Sequence, residues 1–318
     1  MADPTHTVLV PAYNAAETVG EAIRSVTAQT TESFEVIAVD DGSSDATPEL
    51  LDEMSKGDPR IRVVRQPNAG PSAARNAAIR RASGSYLTFL DSDDLLMPRY
   101  LEAMEEIFRR NPDAGLAYAR AWVLDEAAGG GRVRRGIWPP PGYVTGSALA
   151  PDDPVVALAS GNYVGAVQTA TREAVERVGG LDVDLRQAED YDLWLRIAIA
   201  GFGIVSGPEA LAVVRNRAGS LSKDELELAE GVRAVCRRLL SEYEVSEEAR
   251  AAAAAQLERT DHMIEVLDGS ASVRGAIRRV RLALGRIKRR LLIGRLWYPE
   301  PPPDVAEAFP ELVADRAA

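Results

Sequence analysis

Asp91-Ser92-Asp93-Asp94 gathers three carboxylates within four residues, directly after the apolar run Tyr86-Leu87-Thr88-Phe89-Leu90. A short apolar, β-prone run reads as a buried strand, so the acids collect where that strand ends. Like charges held together beside a buried element are costly unless a cation neutralises them. Hard divalent ions such as Mg²⁺ and Mn²⁺ take oxygen ligands and keep several waters. One or two carboxylates plus the phosphates of a ligand therefore make a site for them. The competing reading is an Asx-rich turn that caps a helix beginning near Pro98. The tetrapeptide alone leaves both open.

Other segments carry the same signature. Thr7-Val8-Leu9-Val10-Pro11-Ala12-Tyr13-Asn14 reads as a strand that stops at a proline and meets a helix-starting Asn14. Turns of this kind, at the carboxyl rim of a parallel sheet, are where open α/β folds bind ligands. Phe34-Glu35-Val36-Ile37-Ala38-Val39 is a second strand, and it ends in Asp40-Asp41-Gly42-Ser43-Ser44-Asp45. Asn68-Ala69-Gly70-Pro71-Ser72-Ala73-Ala74-Arg75-Asn76 opens a helix with Pro71 in its first turn and presents Arg75 on it. Far downstream, Glu189-Asp190-Tyr191-Asp192-Leu193-Trp194 places a further acidic cluster beside an aromatic.

In this order the pieces resemble the family 2 glycosyltransferases of the GT-A fold, whose motifs are V-P-x-Y-N, D-D-G-S-x-D, N-x-G-x-x-x-A-R-N, D-x-D-D and E-D. Val10 to Asn14, Asp40 to Asp45, Asn68 to Asn76, Asp91 to Asp94 and Glu189-Asp190 fit them. The resemblance covers roughly residues 5 to 220; no single motif decides it, but five in sequence leave little room for coincidence.

The resemblance implies an inverting enzyme that moves a sugar from a nucleoside-diphosphate-sugar to an acceptor hydroxyl. By that likeness Pro11 and Tyr13 flank a nucleotide base, with Tyr13 as a stacking face, and Asp40 accepts from an imide N–H of the base. That pairing favours uridine or thymidine diphosphate-sugars. Arg75 approaches the base or the phosphates. Asp93 is the expected direct ligand of Mg²⁺ or Mn²⁺, Asp91 contacts the ribose or a metal-bound water, and Ser92 belongs to the same donor-binding turn. Asp190 is the expected general base. Asp94, Glu189, Asp192, Trp194, Arg215 and Arg217 are secondary candidates: Asp192 as the rival base, Trp194 as an acceptor platform or simply core, and the two arginines as cations for the pyrophosphate. Relatives often carry a histidine near the last catalytic strand, and Val213 to Ser222 has none. Asp45, before Thr47-Pro48, reads as a helix-cap residue.

The elements that must hold these residues alternate through the first hundred positions. Strands are expected at 5–10, 34–40, 61–65 and 86–90, and helices at 15–28, 46–56 and 71–82. A helix from Arg99 to Arg110 and a strand from Ala114 to Leu124 follow. Such alternation implies an α/β fold, a mostly parallel sheet flanked by helices, and the family resemblance implies its GT-A (Rossmann-like) form. Gly129-Gly130-Gly131 and Trp138-Pro139-Pro140-Pro141-Gly142 then mark a long loop, of a size that tends to be functional; in the family it resembles the part near the acceptor. Glu225 to Leu240 and Glu247 to Leu267 read as helices. The expected division is a catalytic domain over 1–222 and a helical C-terminal extension over 223–318.

The chain has 318 residues, 46% of them hydrophobic, enough for one large α/β core with a smaller appendage. Cys236 is the single cysteine, which excludes an intrachain disulfide. No stretch is long and apolar enough to cross a bilayer and the amino terminus lacks a secretory pattern, so a cytoplasmic location is expected. A net charge of −11 argues against general nucleic-acid binding. Yet between Ser270 and Pro299 there is no acid, while Arg274, Arg278, Arg279, Arg281, Arg286, Lys288, Arg289, Arg290 and Arg295 fall there. Val273, Ile277, Val280, Leu284, Ile287 and Leu291 share one helical face. A basic amphipathic helix near 272–298 fits an anionic membrane interface on the inner face of the plasma membrane. Packing on the acidic catalytic domain or forming a homodimer fits it equally. The acceptor is expected to be a sugar or a lipid-linked glycan in cell-surface polysaccharide synthesis. The alternatives are a nucleotide-sugar-binding scaffold at a membrane surface without turnover, and a metal-dependent nucleotidyltransferase. The latter normally has a glycine-rich phosphate loop near its start, and Pro11-Ala12-Tyr13-Asn14 is not one.

Overall fold

In the computed structural model, residues 4–125, 137–138, 152–165, 167–217, 224–269 and 307–309 are described. The basic segment near 272–298 lies outside them, as does most of the Gly- and Pro-rich stretch between 126 and 151.

Strands β1 (His6–Ala12), β2 (Phe34–Asp40), β3 (Ile61–Arg65) and β4 (Tyr86–Phe89) pair in parallel in the order β3-β2-β1-β4. β2 is buried along its whole length and β1 at all but one residue, as expected of strands covered on both faces. Their side chains alternate between two apolar clusters. Val8 and Val10 face one cluster, with Val36 and Ala38; Leu9 faces the other, with Ile37 and Val39. Helix α1 (Val19–Thr27) lays Val19, Ile23 and Val26 on the first cluster, at the spacing of one helical face. Helices α2 (Thr47–Gly57) and α3 (Pro71–Ile79) complete the crossovers.

Beyond β4 the sheet becomes mixed. A two-residue β5 (Leu95–Leu96) and helix α4 (Tyr100–Arg110) lead to the long β6 (Ala114–Asp125). Ile137 and Trp138 form β7, which pairs antiparallel with β6. Short helix α5 (Pro154–Ala159) precedes β8 (Gln168–Thr171), which lies antiparallel between β4 and β6. Helices α6 (Arg172–Arg177) and α7 (Glu189–Ile199) follow, then β9 (Gly203–Asn216), parallel to β6 and antiparallel to β5. The expected elements over the first 124 residues are present to within a few positions, with one correction. α1 begins at Val19, not near residue 15, because Asn14 adopts φ 49° and Ala15 to Thr18 forms a turn before the helix.

The topology decides which ends meet. β1, β2 and β4 point one way, so Tyr13, Asp40 and Asp91 emerge at one rim. β8 runs against β4 with Phe89 opposite Gln168, which brings the residues before β8 to that rim. β6 and β9 run with β4, so Arg215 and Asn216, opposite Leu124 and Asp125, arrive there too.

Helices α8 (Glu225–Glu242) and α9 (Glu247–Leu267) pack on this body: Val235, Leu239, Ala249 and Ala253 join the apolar cluster that holds Leu9, Ile37, Leu193 and Trp194. Among the described residues no helix is long and apolar enough to cross a membrane.

Candidate active site

The loops at the rim are tied together by side chains bonded to backbone. After β2, the Asp40 carboxylate accepts from the Ser43 N–H at 3.0 Å. Gly42 takes φ 78°, and a Cβ there would lie 2.8 Å from the Asn68 backbone nitrogen, so only glycine lets the two loops meet. Asp41 accepts from the Gln66 side chain at 2.7 Å and from the Ala69 and Gly70 N–H groups, both at 2.9 Å. It thereby fixes the lead-in to α3. Asn14 Oδ1 accepts from the Ser44 N–H at 2.8 Å, and the Asn14 N–H donates to the Ser43 hydroxyl at 3.0 Å. Asp45 accepts from the Ala16 N–H at 3.1 Å and the Thr47 N–H at 3.0 Å and so ties the loop after β1 to the start of α2, whose N-cap position is Ala46 and not Asp45. Tyr13 stands 53% exposed on this scaffold, its ring free to stack.

Arg75 projects from α3 and joins the two acidic motifs. Its Nη2 donates to Asp91 Oδ1 at 2.6 Å and its Nη1 to Glu189 Oε1 at 2.8 Å, across 114 residues of chain. Burial works against the guanidinium charge, but the Asp91 and Glu189 carboxylates outweigh it and raise its pKa. Arg75 is thus no loose surface arginine. Asn76, next to it, uses both ends of its amide on the Leu181 backbone, at 2.8 and 2.9 Å.

The turn after β4 carries charge without enough compensation. Burial pushes the Asp93 carboxyl up, and the nearby Asp91 charge adds to this, while Arg217 and Arg215 draw it partly back. Asp94 is fully buried and held well above the ordinary carboxylate range by burial and by the Asp91 and Asp93 charges. One of its oxygens accepts from the Arg215 N–H at 3.0 Å, which anchors the end of β9. Arg215 pairs with Glu21 of α1, and Arg217 with Glu17 at 2.6 Å.

Among the described residues, no three or more His, Cys, Asp or Glu side chains are grouped so that they could hold an ion. Mg²⁺ or Mn²⁺ needs only one or two carboxylates when phosphates and waters complete its shell. The raised Asp93 and Asp94 fit such an ion, because a cation beside them would offset both the burial and the neighbouring carboxylate charges that drive them up.

α7 presents Glu189, Asp190 and Asp192 in its first turn, where the helix dipole favours anions. Burial, with the Glu189 charge beside it, pushes the Asp190 carboxyl up to about 6, against the pull of the Tyr191 N–H and Arg75. Its Oδ1 accepts from the Tyr191 N–H at 2.6 Å. Asp192 points elsewhere. It is buried, with one oxygen on Arg196 at 2.7 Å and the other on Arg238 of α8 at 2.9 Å. Of the two readings of Trp194 the structure takes the core one: only 1% exposed, it meets Phe89 edge-on with ring centroids 5.2 Å apart and has no face to offer an acceptor.

The structure thus gathers Tyr13, Asp40, Asp91, Asp93, Asp94, Arg75, Glu189 and Asp190 at one rim and sends Asp192 and Trp194 into the packing behind it. Pro11 lies within β1, opposite Val39 of β2, and Ser92 within the turn after β4. The Asp-Asp-Gly turn allows Asp41 a turn role, and the structure gives it one that reaches to the lead-in of α3; the sequence reading missed Arg238, for which there was no signal.

An α/β body with a parallel half, a mixed half and acidic strand ends at one rim is the GT-A arrangement. Residues 7–158 match the family model "Glycosyl transferase family 2". An uncharacterised glycosyltransferase of Haemophilus influenzae is 30% identical over 194 residues, covering 60% of each chain. TarS of S. aureus, solved with UDP-GlcNAc, superposes with a TM-score of 0.59 at 18% identity, over 82% of this chain and 70% of that one. A mannosyltransferase of Pyrobaculum calidifontis, solved with GDP-Man and Mn²⁺, superposes with a TM-score of 0.61 at 17% identity, over 99% and 89%. Residues 7–158 thus carry a likeness to glycosyltransferase family 2, and the chain has the GT-A fold. With other relatives the match spans 104 residues and only part of their length, 15% of the pneumococcal glycosyltransferase GlyA and 30% of EpsH of Bacillus subtilis.

Proposed function

We propose that the protein is an inverting glycosyltransferase that moves a sugar from a nucleoside-diphosphate-sugar to an acceptor hydroxyl in glycan or polysaccharide synthesis. The observation that carries this reading is Arg75. It holds the Asp91 turn and the Glu189-Asp190 turn together, so a donor-binding acid and a base poised near neutrality share one rim.

Tyr13 stacks on the nucleotide base, and Asp40, whose Oδ1 is fixed by Ser43, offers its second oxygen to an imide N–H of that base. A base with such an N–H is found in uridine, thymidine and guanosine donors. TarS with UDP-GlcNAc and the mannosyltransferase with GDP-Man support a nucleotide-sugar donor without choosing between them. Asp93, with Asp91 beside it, would hold Mg²⁺ or Mn²⁺, which when bound neutralises charge on the diphosphate leaving group.

Asp190 takes the proton of the acceptor hydroxyl. The oxygen so freed bonds to the anomeric carbon as that carbon's bond to the diphosphate oxygen breaks, and the nucleoside diphosphate leaves with the electron pair. A single in-line displacement inverts the anomeric centre. General-base help of this kind contributes about 10² to 10⁴ in rate. A base needs to be ionised to act, and a carboxyl at about 6 is ionised near neutral pH yet still basic enough to accept a proton.

The test is nucleotide release from a panel of UDP-, dTDP- and GDP-sugars with Mn²⁺ and candidate acceptors, for the natural protein, Asp93→Ala and Asp190→Asn. Turnover lost in both variants, with nucleotide still bound by Asp190→Asn, supports the reading. Full transfer in both refutes it. Nucleotide-sugar binding without turnover by the natural protein would favour the scaffold reading, and pyrophosphate release would favour a nucleotidyltransferase.

A further inference from the structure

The Glu189-Asp190 turn is gripped from both sides. On the α3 side, Arg75 holds Glu189 and Asn76 holds Leu181 by its backbone N–H and C=O. On the other side stands α8, which lies beyond the segment that matches the family model. Gly231 of α8 faces the lead-in to α7 so closely that a Cβ would sit 2.3 Å from the Gln187 carbonyl oxygen and 2.9 Å from its carbon. Ala188, the next residue, holds φ 63°, a left-handed conformation that is unusual for alanine and persists only where the surroundings enforce it. One turn further along α7, Arg238 of α8 donates to Asp192 at 2.9 Å and to Asp182 at 2.7 Å. Arg196 takes the remaining Asp192 oxygen at 2.7 Å and also donates to the Val178 and Gly180 carbonyls. The segment from Val178 to Asp192 is therefore closed into a loop whose two arms α8 staples together.

We propose that α8 is a positioning element for the base: Gly231 and Arg238 hold the Gln187-Ala188 bend, and through it set where the Asp190 carboxylate meets the acceptor hydroxyl. A helix expected to be part of a separate C-terminal extension is in this view an integral part of the transfer site. Gly231 supplies the close approach that fixes the bend, and Arg238 ties the helix carrying Asp190 to the loop that leads into it. Neither residue touches a reacting atom. The proposal rests on Asp190 being the base.

The test compares Gly231→Ala and Arg238→Met with the natural protein, with Ile264→Ala on α9 as a control that removes buried apolar volume away from the bend. Two measurements are made. Peptide-resolved hydrogen exchange over residues 178–195 is expected to quicken in the two α8 variants and not in the control. Nucleotide release from the most active donor of the panel is expected to fall about 10- to 100-fold in kcat, the scale of a displaced catalytic group. The dissociation constant for UDP or GDP with Mn²⁺ should stay within about two-fold, because α3 and the β1, β2 and β4 turns are untouched. Arg238→Lys, which keeps one of the two ion pairs, is expected to recover part of the rate.

Unchanged exchange over 178–195, quicker exchange with unchanged kcat, or a loss shared equally with the control would each overturn the proposal. The outcomes also separate from those of the parent reading. If Asp190→Asn turns over normally the base assignment fails, whatever α8 does; if Asp190→Asn is inactive while the α8 variants are not, only the positioning role fails.

Discussion

The rim is built from two halves that fasten their polar groups in different ways. Around β1, β2 and α3, side chains bond to nearby backbone: Asp41 to Ala69 and Gly70, Asn14 to Ser44, Asp45 to Ala16 and Thr47. Around α7 and α8, side chains bond to oppositely charged side chains brought from far away: Arg75 to Glu189, Arg238 to Asp182 and Asp192. Bonds of the first kind fix loops into a rigid cradle and take no part in chemistry. Those of the second kind balance charge around Asp190, the carboxylate proposed to take up a proton. The donor end of such a site is therefore expected to be sensitive in stability, and the base end sensitive in rate and pH.

The largest effect falls at the base end. Asp190→Asn is expected to lower turnover by about 10² to 10⁴ while leaving nucleotide binding intact. In the natural protein the rate should rise about ten-fold per pH unit below 6 and level off above, because the carboxyl held up to about 6 must ionise to act. The same shift has an opposite sign in stability. A carboxyl whose pKa is raised by folding favours the protonated form, so its contribution is present at low pH and is lost as pH rises through the folded value. Asp190→Asn removes that penalty. Its melting temperature should exceed that of the natural protein at pH 8, and the gap should close as pH falls through 6 toward 4. A variant less stable than the natural protein at both pH values would break the comparison at its base end.

At the donor end the largest expected effect is on stability. Asp41→Ala strips the partners from the Ala69 and Gly70 N–H groups and the Gln66 amide. Leaving buried donors unpaired costs about 1–3 kcal/mol each, and partial access to water brings the sum to about 3 kcal/mol. Urea unfolding measures it. A loss under about 1 kcal/mol would show that the loops are held by something other than these bonds.

How much of this was legible in the sequence follows the same division. Val8, Leu9 and Val10 announce a strand by type alone, and Asp40 to Asp45 announces a turn, because β-propensity, glycine and Asx turns are local properties. Thus β1 to β4 and α2 to α4 stand close to where the pattern puts them. β5 did not show, since two residues are too short for a period to register, and neither did β8, whose Gln-Thr-Ala-Thr has one apolar residue in four. The α7 segment could be read as extended or helical, and which of Asp190 and Asp192 faces the rim depends on that choice. Helix geometry turned Asp192 inward to Arg196 and Arg238, partners 4 and 46 residues away. Arg238 carries no motif around it, so its role is visible only once α8 is folded onto α7. The exposure of Tyr13 likewise needed the structure, since a tyrosine in a turn more often packs.

Tyr13 gives the next test down in size. Its ring is exposed and holds nothing else in place, so Tyr13→Ala should leave the melting temperature unchanged. Loss of one base–aromatic stack costs about 1–3 kcal/mol, so nucleotide dissociation constants should rise about 5- to 150-fold. Tyr13→Phe should retain affinity, because stacking uses the face of the ring and not the hydroxyl. Equal loss in both variants would point to a hydrogen bond from the hydroxyl instead.

The smallest effect is expected at Asp45, and it separates cradle from chemistry within one motif. Asp45 lies five residues from Asp40 and in the same acidic turn, so a motif-based view gives both the same standing. Slight burial raises the Asp45 carboxyl, but the Thr47 hydroxyl and amide and the Ala16 amide outweigh it and hold the pKa below the ordinary carboxylate range. A lowered carboxyl contributes stability above its ordinary value and loses it as pH falls through the folded one. Asp45→Ala should therefore cost about 1 kcal/mol near neutral pH, the usual net value of a lost hydrogen bond, and this cost should shrink at a pH below about 4. Nucleotide affinity should not move, since every bond Asp45 makes is to the chain itself. Asp40→Ala, by contrast, removes the oxygen proposed to face the base and should weaken nucleotide binding more than it lowers stability. Were Asp45→Ala to weaken nucleotide binding as much as Asp40→Ala, the turn would act as one unit, and the division between a structural cradle and a ligand-reading edge would not hold within it.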